Sequence, residues 1–185
     1  MIIRLSDCPP RPWKNGLGST RDIAVQTSVD GNGDFLWRAS IAEVDSAAPF
    51  SSFPGIDRHI VLLDGAGFRM TLDDGRTHAL TTPLQPFAFP GEAGVAVVLA
   101  GGATRDFNLM VNRAQARGEL PVWRGPGRWL VNAGIMLVHA ARGSLDTPAG
   151  RLQTGDSWRP DHAAASTIAL PAGAVALAVR LTPPG

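Results

Sequence analysis

Trp13-Lys14-Asn15-Gly16-Leu17-Gly18-Ser19-Thr20-Arg21-Asp22-Ile23-Ala24-Val25 is the stretch from which the rest of the chain is read. Its first half holds an indole, an ammonium, an amide, two glycines and two hydroxyls. Its second half begins an alternation: Ile23, Val25, Thr27 and Val29 fall on one side of a strand, and Asp22, Ala24, Gln26 and Ser28 on the other. A polar, glycine-loosened loop thus feeds a half-buried strand, and loops on rigid supports are where binding groups sit. Glycine and asparagine are also ordinary turn residues, so the loop by itself fits a turn as well as a site. Lys14 tilts the balance. It is the single lysine beside sixteen arginines, a compact ammonium in a chain that otherwise uses the planar fork.

Working outward, twenty-one glycines and fifteen prolines cut the chain into short segments, the punctuation of an all-β protein. Strands are expected at 2–5, 22–29, 35–44, 58–63, 67–72, 87–89, 95–100, 105–111, 129–132, 135–140, 166–170 and 174–181. Residues 112–117 have room for one helical turn, too short to organise anything. A faint repeat relates 61–75 to 138–158: an apolar strand, a glycine turn, a short strand and a second turn. Return runs follow at 95–99 and 174–181. Two copies of a small antiparallel unit predict two barrels or jelly rolls packed into one compact body. The first is expected to span residues 1–113 and to carry the site. The second, 114–185, is expected to be mainly scaffold.

Bulk composition excludes several classes. With 44% apolar and 18% charged residues the chain is globular. A net charge of +1 and scattered arginines give no footprint for nucleic acid. Cys8 is alone, so neither a disulfide framework nor a cysteine zinc site is expected. The first residues lack the apolar core of a signal peptide, and no apolar run reaches the roughly 18 residues of a membrane span. The expected location is the cytoplasm.

Two strands carry chemistry on one face. Trp37 and Ile41 oppose Arg38, Ser40 and Ala42; Phe107, Leu109 and Val111 oppose Asp106, Asn108 and Met110. A solvated sheet face and a pocket lined by a few polar groups both fit this pattern. The mixture of Arg, Asp and Asn with Ser, Ala and Met is less polar than most solvated faces, which favours the pocket. Between these strands lies the Pro- and Phe-rich loop 48–56, ending in Asp57-Arg58-His59. Arg58 shares its face with Ile60 and Leu62. An arginine on an apolar face needs an anion, either Asp57 or Asp106 within the chain or a ligand carboxylate gripped by the fork.

Other chemistries are poorly provided for. His59, His78, His139 and His162 show no metal-ligand spacing, although a site assembled from distant strands stays open. His78 reads as a hairpin residue and His139 as a core residue. No nucleophile elbow, phosphate loop or dinucleotide fingerprint is present.

Three segments, Trp13–Ala24 (WKNGLGSTRDIA), Trp37–Leu63 (WRASIAEVDSAAPFSSFPGIDRHIVLL) and Pro90–Arg113 with its Asp106-Phe-Asn-Leu-Met110, resemble the HutD/Ves family of bacterial cupin-fold proteins across about the first 113 residues. The resemblance implies a bicupin, two β-barrels side by side with little or no helix. It also implies a role as a brake on histidine utilisation through binding of a pathway intermediate. The implied ligand-binding residues are Arg58 as carboxylate anchor, with Lys14, Asn15, Thr20, Arg38, Ser40, Phe53, Asp106 and Asn108. Where many cupins place metal-binding histidines this chain reads Asp57-Arg58-His59-Ile60, so no metal and no cofactor are expected.

The leading expectation is a non-enzymatic sensor of a small carboxylate such as urocanate, formiminoglutamate, formylglutamate or formate. It would make no direct contact with nucleic acid or membrane, and self-association into a homodimer is left open. Two alternatives stand beside it. One is a metal-free acid–base enzyme using Asp106 or Asp57 as base and Lys14 as acid. The other is a protein-interaction module.

Overall fold

Nineteen short strands and one 3-10 turn, Leu5–Asp7, make up the regular structure among the described residues. The computed structural model describes residues 1–28, 35–161 and 165–184; Val29 and His162, both named above, lie outside the described residues. Along the chain the strands are β1 (Ile2–Ile3), β2 (Arg11–Pro12), β3 (Gly18–Thr27), β4 (Phe35–Val44), β5 (Ile56–Gly65), β6 (Phe68–Leu72), β7 (Thr77–Leu80), β8 (Phe87–Pro90), β9 (Val95–Leu99) and β10 (Thr104–Asn112). They continue as β11 (Arg117–Glu119), β12 (Val122–Arg124), β13 (Gly127–Val131), β14 (Ile135–Arg142), β15 (Leu145–Thr147), β16 (Gly150–Leu152), β17 (Ser157–Trp158), β18 (Ser166–Leu170) and β19 (Val175–Thr182). No helix among the described residues is long and apolar enough to cross a membrane.

The strands form two compact units, one of Pro9–Arg117 and one of Met1–Cys8 with Gly118–Pro183. In the Pro9–Arg117 unit a six-stranded sheet runs β2-β3-β4-β10-β5-β8, and a three-stranded sheet runs β7-β6-β9. Ala42, Val44, Ile60 and Leu62 from the first share a core with Phe68, Met70, Leu72, Leu80, Val95 and Val97 of the second. In the other unit, β1-β17-β14-β19-β11, with β12 also on β19, shares a core with β13-β18-β15-β16. These hydrogen-bonded paths are open, so the expected closed barrels are corrected to pairs of facing sheets. Alternating residues supply each core, and facing sheets bury them without the strand tilt and stagger that closure demands.

The repeat is present, with its last step reassigned. In one unit β5 turns through Gly65 into β6, which pairs with β7 and β9; in the other β14 turns through Gly143 into β15, which pairs with β16 and β18. The counterpart of β9 is therefore β18. The counterpart of β19, which pairs with β14, is β10, which pairs with β5. One smaller expectation holds and one changes: residues 112–117 contain a single helical turn, in which the Ala116 amide donates to the Asn112 carbonyl at 3.0 Å, whereas the strand expected at 2–5 stops at Ile3.

The alternation read from Asp22 onward does not survive intact. The β3–β4 register shifts between Asp22 and Ala24, so Asp22 opposes Ser40 while Ala24 opposes Ala39 and Val25 opposes Arg38. One extra residue flips every following side chain to the other face. Ile23 is accordingly buried while Val25 is 42% exposed. The bulge leaves Thr20 and Asp22 on the same face as Ser40 and Arg38.

One glycine sets the join between the two sheets. Gly67 has φ +77°, and a Cβ there would lie 1.9 Å from the Leu80 carbonyl oxygen. Its amide donates to the buried Thr104 Oγ1 at 3.0 Å. Gly67→Ala should cost about 2 kcal/mol or more, measured as a fall in the denaturation midpoint.

Candidate functional site

The polar face of β4 and β10 lies inside the Pro9–Arg117 unit as one wall of a cavity of about 490 Å³, within the usual range for small-molecule sites. The register fixes which groups meet. Asp106 opposes Ala42, Asn108 opposes Ser40 and Met110 opposes Arg38 across β4; Met110 also opposes Arg58 across β5. All nine residues singled out from the sequence, Arg58, Lys14, Asn15, Thr20, Arg38, Ser40, Phe53, Asp106 and Asn108, line this cavity. Ser40, Arg58, Asp106 and Asn108 are buried, whereas Lys14 and Asn15 are exposed.

Arg58 is the unusual group. It is 6% exposed, and its guanidinium carbon lies 4.9 Å, 5.6 Å and 5.0 Å from the ring centres of Phe50, Phe53 and Phe89. These faces attract a cation but do not neutralise it. Its Nη2 donates to Asn108 Oδ1 at 3.3 Å and its Nη1 to the Ser51 carbonyl at 3.5 Å, while Nε has no partner. Among the described residues no carboxylate lies within ion-pair distance of it. Asp57, the adjacent candidate, turns to the other face and pairs with Arg113 at 2.9 Å, which removes it as internal partner and as base. Burial lowers the Arg58 pKa to about 10, Asp106 opposing the shift and Arg38 adding to it.

Asn108 joins Arg58 to Asp106. Its Nδ2 donates to Asp106 Oδ1 in a short hydrogen bond, and Asp106 Oδ2 has no partner. Asp106 is 1% exposed. Burial raises its pKa to about 7, against the pull of Asn108 and Arg58, because a carboxylate loses most of its hydration there.

On the opposite side, Arg38 Nε donates to Asp22 Oδ1 at 2.7 Å and its Nη2 lies 2.6 Å from the same oxygen. Trp13 Nε1 donates to Thr20 Oγ1 at 2.8 Å. The Trp13 ring rests on Gly18, where a Cβ would come within 2.9 Å of the ring and 2.4 Å of the Glu43 carbonyl. The Asn15 side chain accepts from the Leu17 amide at 3.0 Å, so its first task is to close the turn. The lining offers no histidine or cysteine, and one carboxyl group beside three arginines and a lysine. That donor set does not fit a resident metal ion.

The family model described as HutD matches residues 5–178. The chain belongs to the HutD family. Its relatives include a protein from Pseudomonas putida described as an uncharacterised 21.2 kDa protein in the hutC 3' region, 39% identical over 151 residues, 81% of this chain and 78% of that one. Protein Ves of Escherichia fergusonii is 41% identical over 115 residues, covering 62% and 59%. The structure of HutD from Pseudomonas fluorescens SBW25, described as a formate condition, superimposes with a TM-score of 0.88 at 34% identity over 100% of this chain and 99% of that one. The nickel(II) complex of the bacterial pirin YhhW from Escherichia coli superimposes with a TM-score of 0.65 at 7% identity over 100% and 99%, a likeness of cupin-like fold alone.

Sequence reading missed several members of this HutD-family site. Arg11 arrives on β2, a two-residue strand with no periodicity to read. Phe50 and Phe89 were visible only as loop and strand aromatics. Asp22, the counter-ion of Arg38, lies ahead of the β3 bulge on the face of Thr20, and only the β3–β4 register brings it to Arg38.

Proposed function

We propose that this chain binds a small carboxylic acid in the Pro9–Arg117 cavity, without transforming it, and thereby restrains histidine utilisation. The observation that carries the reading is Arg58, a buried guanidinium with an unpartnered Nε and no carboxylate at ion-pair distance. An incoming carboxylate would supply the missing charge through two parallel hydrogen bonds. Asn108 and Ser40 would orient it, and Phe53 would wall the cavity. The P. putida relative's place in the hutC 3' region and the formate condition of the P. fluorescens structure agree with this reading. The repeated β5–β10 and β14–β19 arrangement supports reading the two units as the halves of a bicupin, and the lone Cys8 suits a cytoplasmic setting.

The test is calorimetric titration of purified protein with urocanate, formiminoglutamate, formylglutamate and formate, with histamine as a carboxylate-free control. One acid should bind and raise the melting temperature, and mass spectrometry should recover it unchanged. Recovery of a product would instead favour acid–base catalysis, for which the buried Asp106 near pH 7 is the suitable group. Absence of binding by every acid would overturn the proposal.

A further inference from the structure

We propose that Asp106 meets the ligand as a neutral carboxylic acid, donating from Oδ2 to a ligand oxygen, so that the cavity takes up a proton together with each acid it binds. The proposal rests on the carboxylate reading of Arg58 and concerns the group beside it. Asp106 lines the cavity, is 1% exposed and carries a buried Oδ2 without a partner. Its other oxygen accepts from Asn108 Nδ2, while Asn108 Oδ1 accepts from Arg58 Nη2 at 3.3 Å. One amide thus holds Asp106 next to Arg58 and leaves Oδ2 unused. An ionised carboxylate oxygen is costly in such a place. A protonated Oδ2 is instead a donor, which an acceptor in the cavity can satisfy.

The neighbouring charges set the sign of the coupling. Arg58 faces Asp106 from β5 and Arg38 from β4; Arg11 of β2 and Lys14 of the turn after it also line the cavity. Arg38 is already paired with Asp22 of β3. His59, opposite Leu109, belongs to the other face of β5. Among the described residues, loop 45–55 and the sheet β7-β6-β9 bring no titratable group to the lining. Arg58 favours an ionised Asp106, but burial outweighs it and lifts the pKa to about 7. A ligand carboxylate seated on Arg58 satisfies that cation and adds a like charge nearby, so Asp106 ionises less readily still. Binding and protonation therefore reinforce each other, and affinity falls as pH rises past the point where the ligand-free chain has released its proton.

The test is calorimetric titration of the full chain with urocanate, formiminoglutamate, formylglutamate and formate at about pH 7 and about pH 8.5. Over that range the acids barely change charge, and it lies below the titration of Arg58. Each titration is repeated in two buffers of different ionisation heat, which counts the protons exchanged. The acid that binds should do so about tenfold more weakly at the higher pH, with uptake there approaching one proton per acid bound. In Asp106→Asn both the slope and the uptake should vanish. Binding with no proton uptake, or with proton release, would overturn this inference and leave the carboxylate reading standing. So would a slope that persists in the folded Asp106→Asn chain. Failure of every acid at both pH values would overturn both.

Discussion

Folding stability should change little between pH 4 and pH 6.5, and two single substitutions should tilt that flat curve in opposite directions. Asp106 has its folded pKa raised from 3.8 to about 7. The folded chain therefore keeps a proton that the unfolded chain has released, and this contribution, complete below pH 3.8, is lost as pH rises through 7. His139 is the reverse. It is 1% exposed, with Nδ1 2.9 Å from Ser157 Oγ, and burial lowers its pKa from 6.5 to about 4. Its contribution is complete above pH 6.5 and is lost as pH falls through 4. Each effect is about 3–4 kcal/mol, and over the shared window they oppose each other.

Asp106→Asn should leave the histidine slope, so that stability rises with pH from 4 to 6.5. His139→Asn should leave the aspartate slope, so that stability falls from pH 4 to 7. His78, lowered by burial, adds a smaller rise of the same sign as His139, and the lowered carboxylates Asp74, Glu92 and Asp156 add a rise of that sign at the acid end of this window and below it. Denaturant titrations across pH would read the slopes, and parallel curves for the two variants would refute the assignment. Because the two groups sit in different units, separate unfolding transitions would show the opposite slopes in the unsubstituted chain itself.

Arg58→Met should abolish acid binding, by about 100-fold or more, and yet leave the ligand-free chain as stable as before or more stable by about 1–3 kcal/mol. The arginine is dehydrated, ringed by phenylalanines and short of a carboxylate partner, so the fold gains little from its charge. At pH 6 the neighbouring Asp106 is mostly neutral, and its removal strands no anion. Arg58→Lys is the informative control: it keeps a cation but not the planar fork, and should lose most of the affinity. Binding calorimetry and thermal melts at pH 6 separate the two effects. Loss of binding together with a large loss of stability would mean that Arg58 serves the fold.

How far the site could be read in advance follows from the strands that carry it. β4 and β10 are nine or ten residues long and unbroken through the site, so simple alternation places Arg38, Ser40, Asp106 and Asn108 on one face. In β3 the same logic fails after Asp22, because a bulge is invisible to a period-two reading. β2, β7, β15, β16 and β17 have two to four residues each, too few for a period, and their pairing is decided by distant partners. The environment of Arg58 was half legible. The need for an anion followed from its apolar strand, but its ring of phenylalanines and its link to Asp106 through Asn108 depend on loops and register.

β1 lies with β17 in a sheet of the Gly118–Pro183 unit, so the cavity-bearing unit is an insertion in the other. During synthesis the opening eight residues must wait, unpaired, until β17 has left the ribosome. The inserted unit has all of its strands long before then, so the cavity can form while its host is still unfinished. A cut within β1 would therefore disturb an element whose partner strand, β17, is made only after the whole inserted unit.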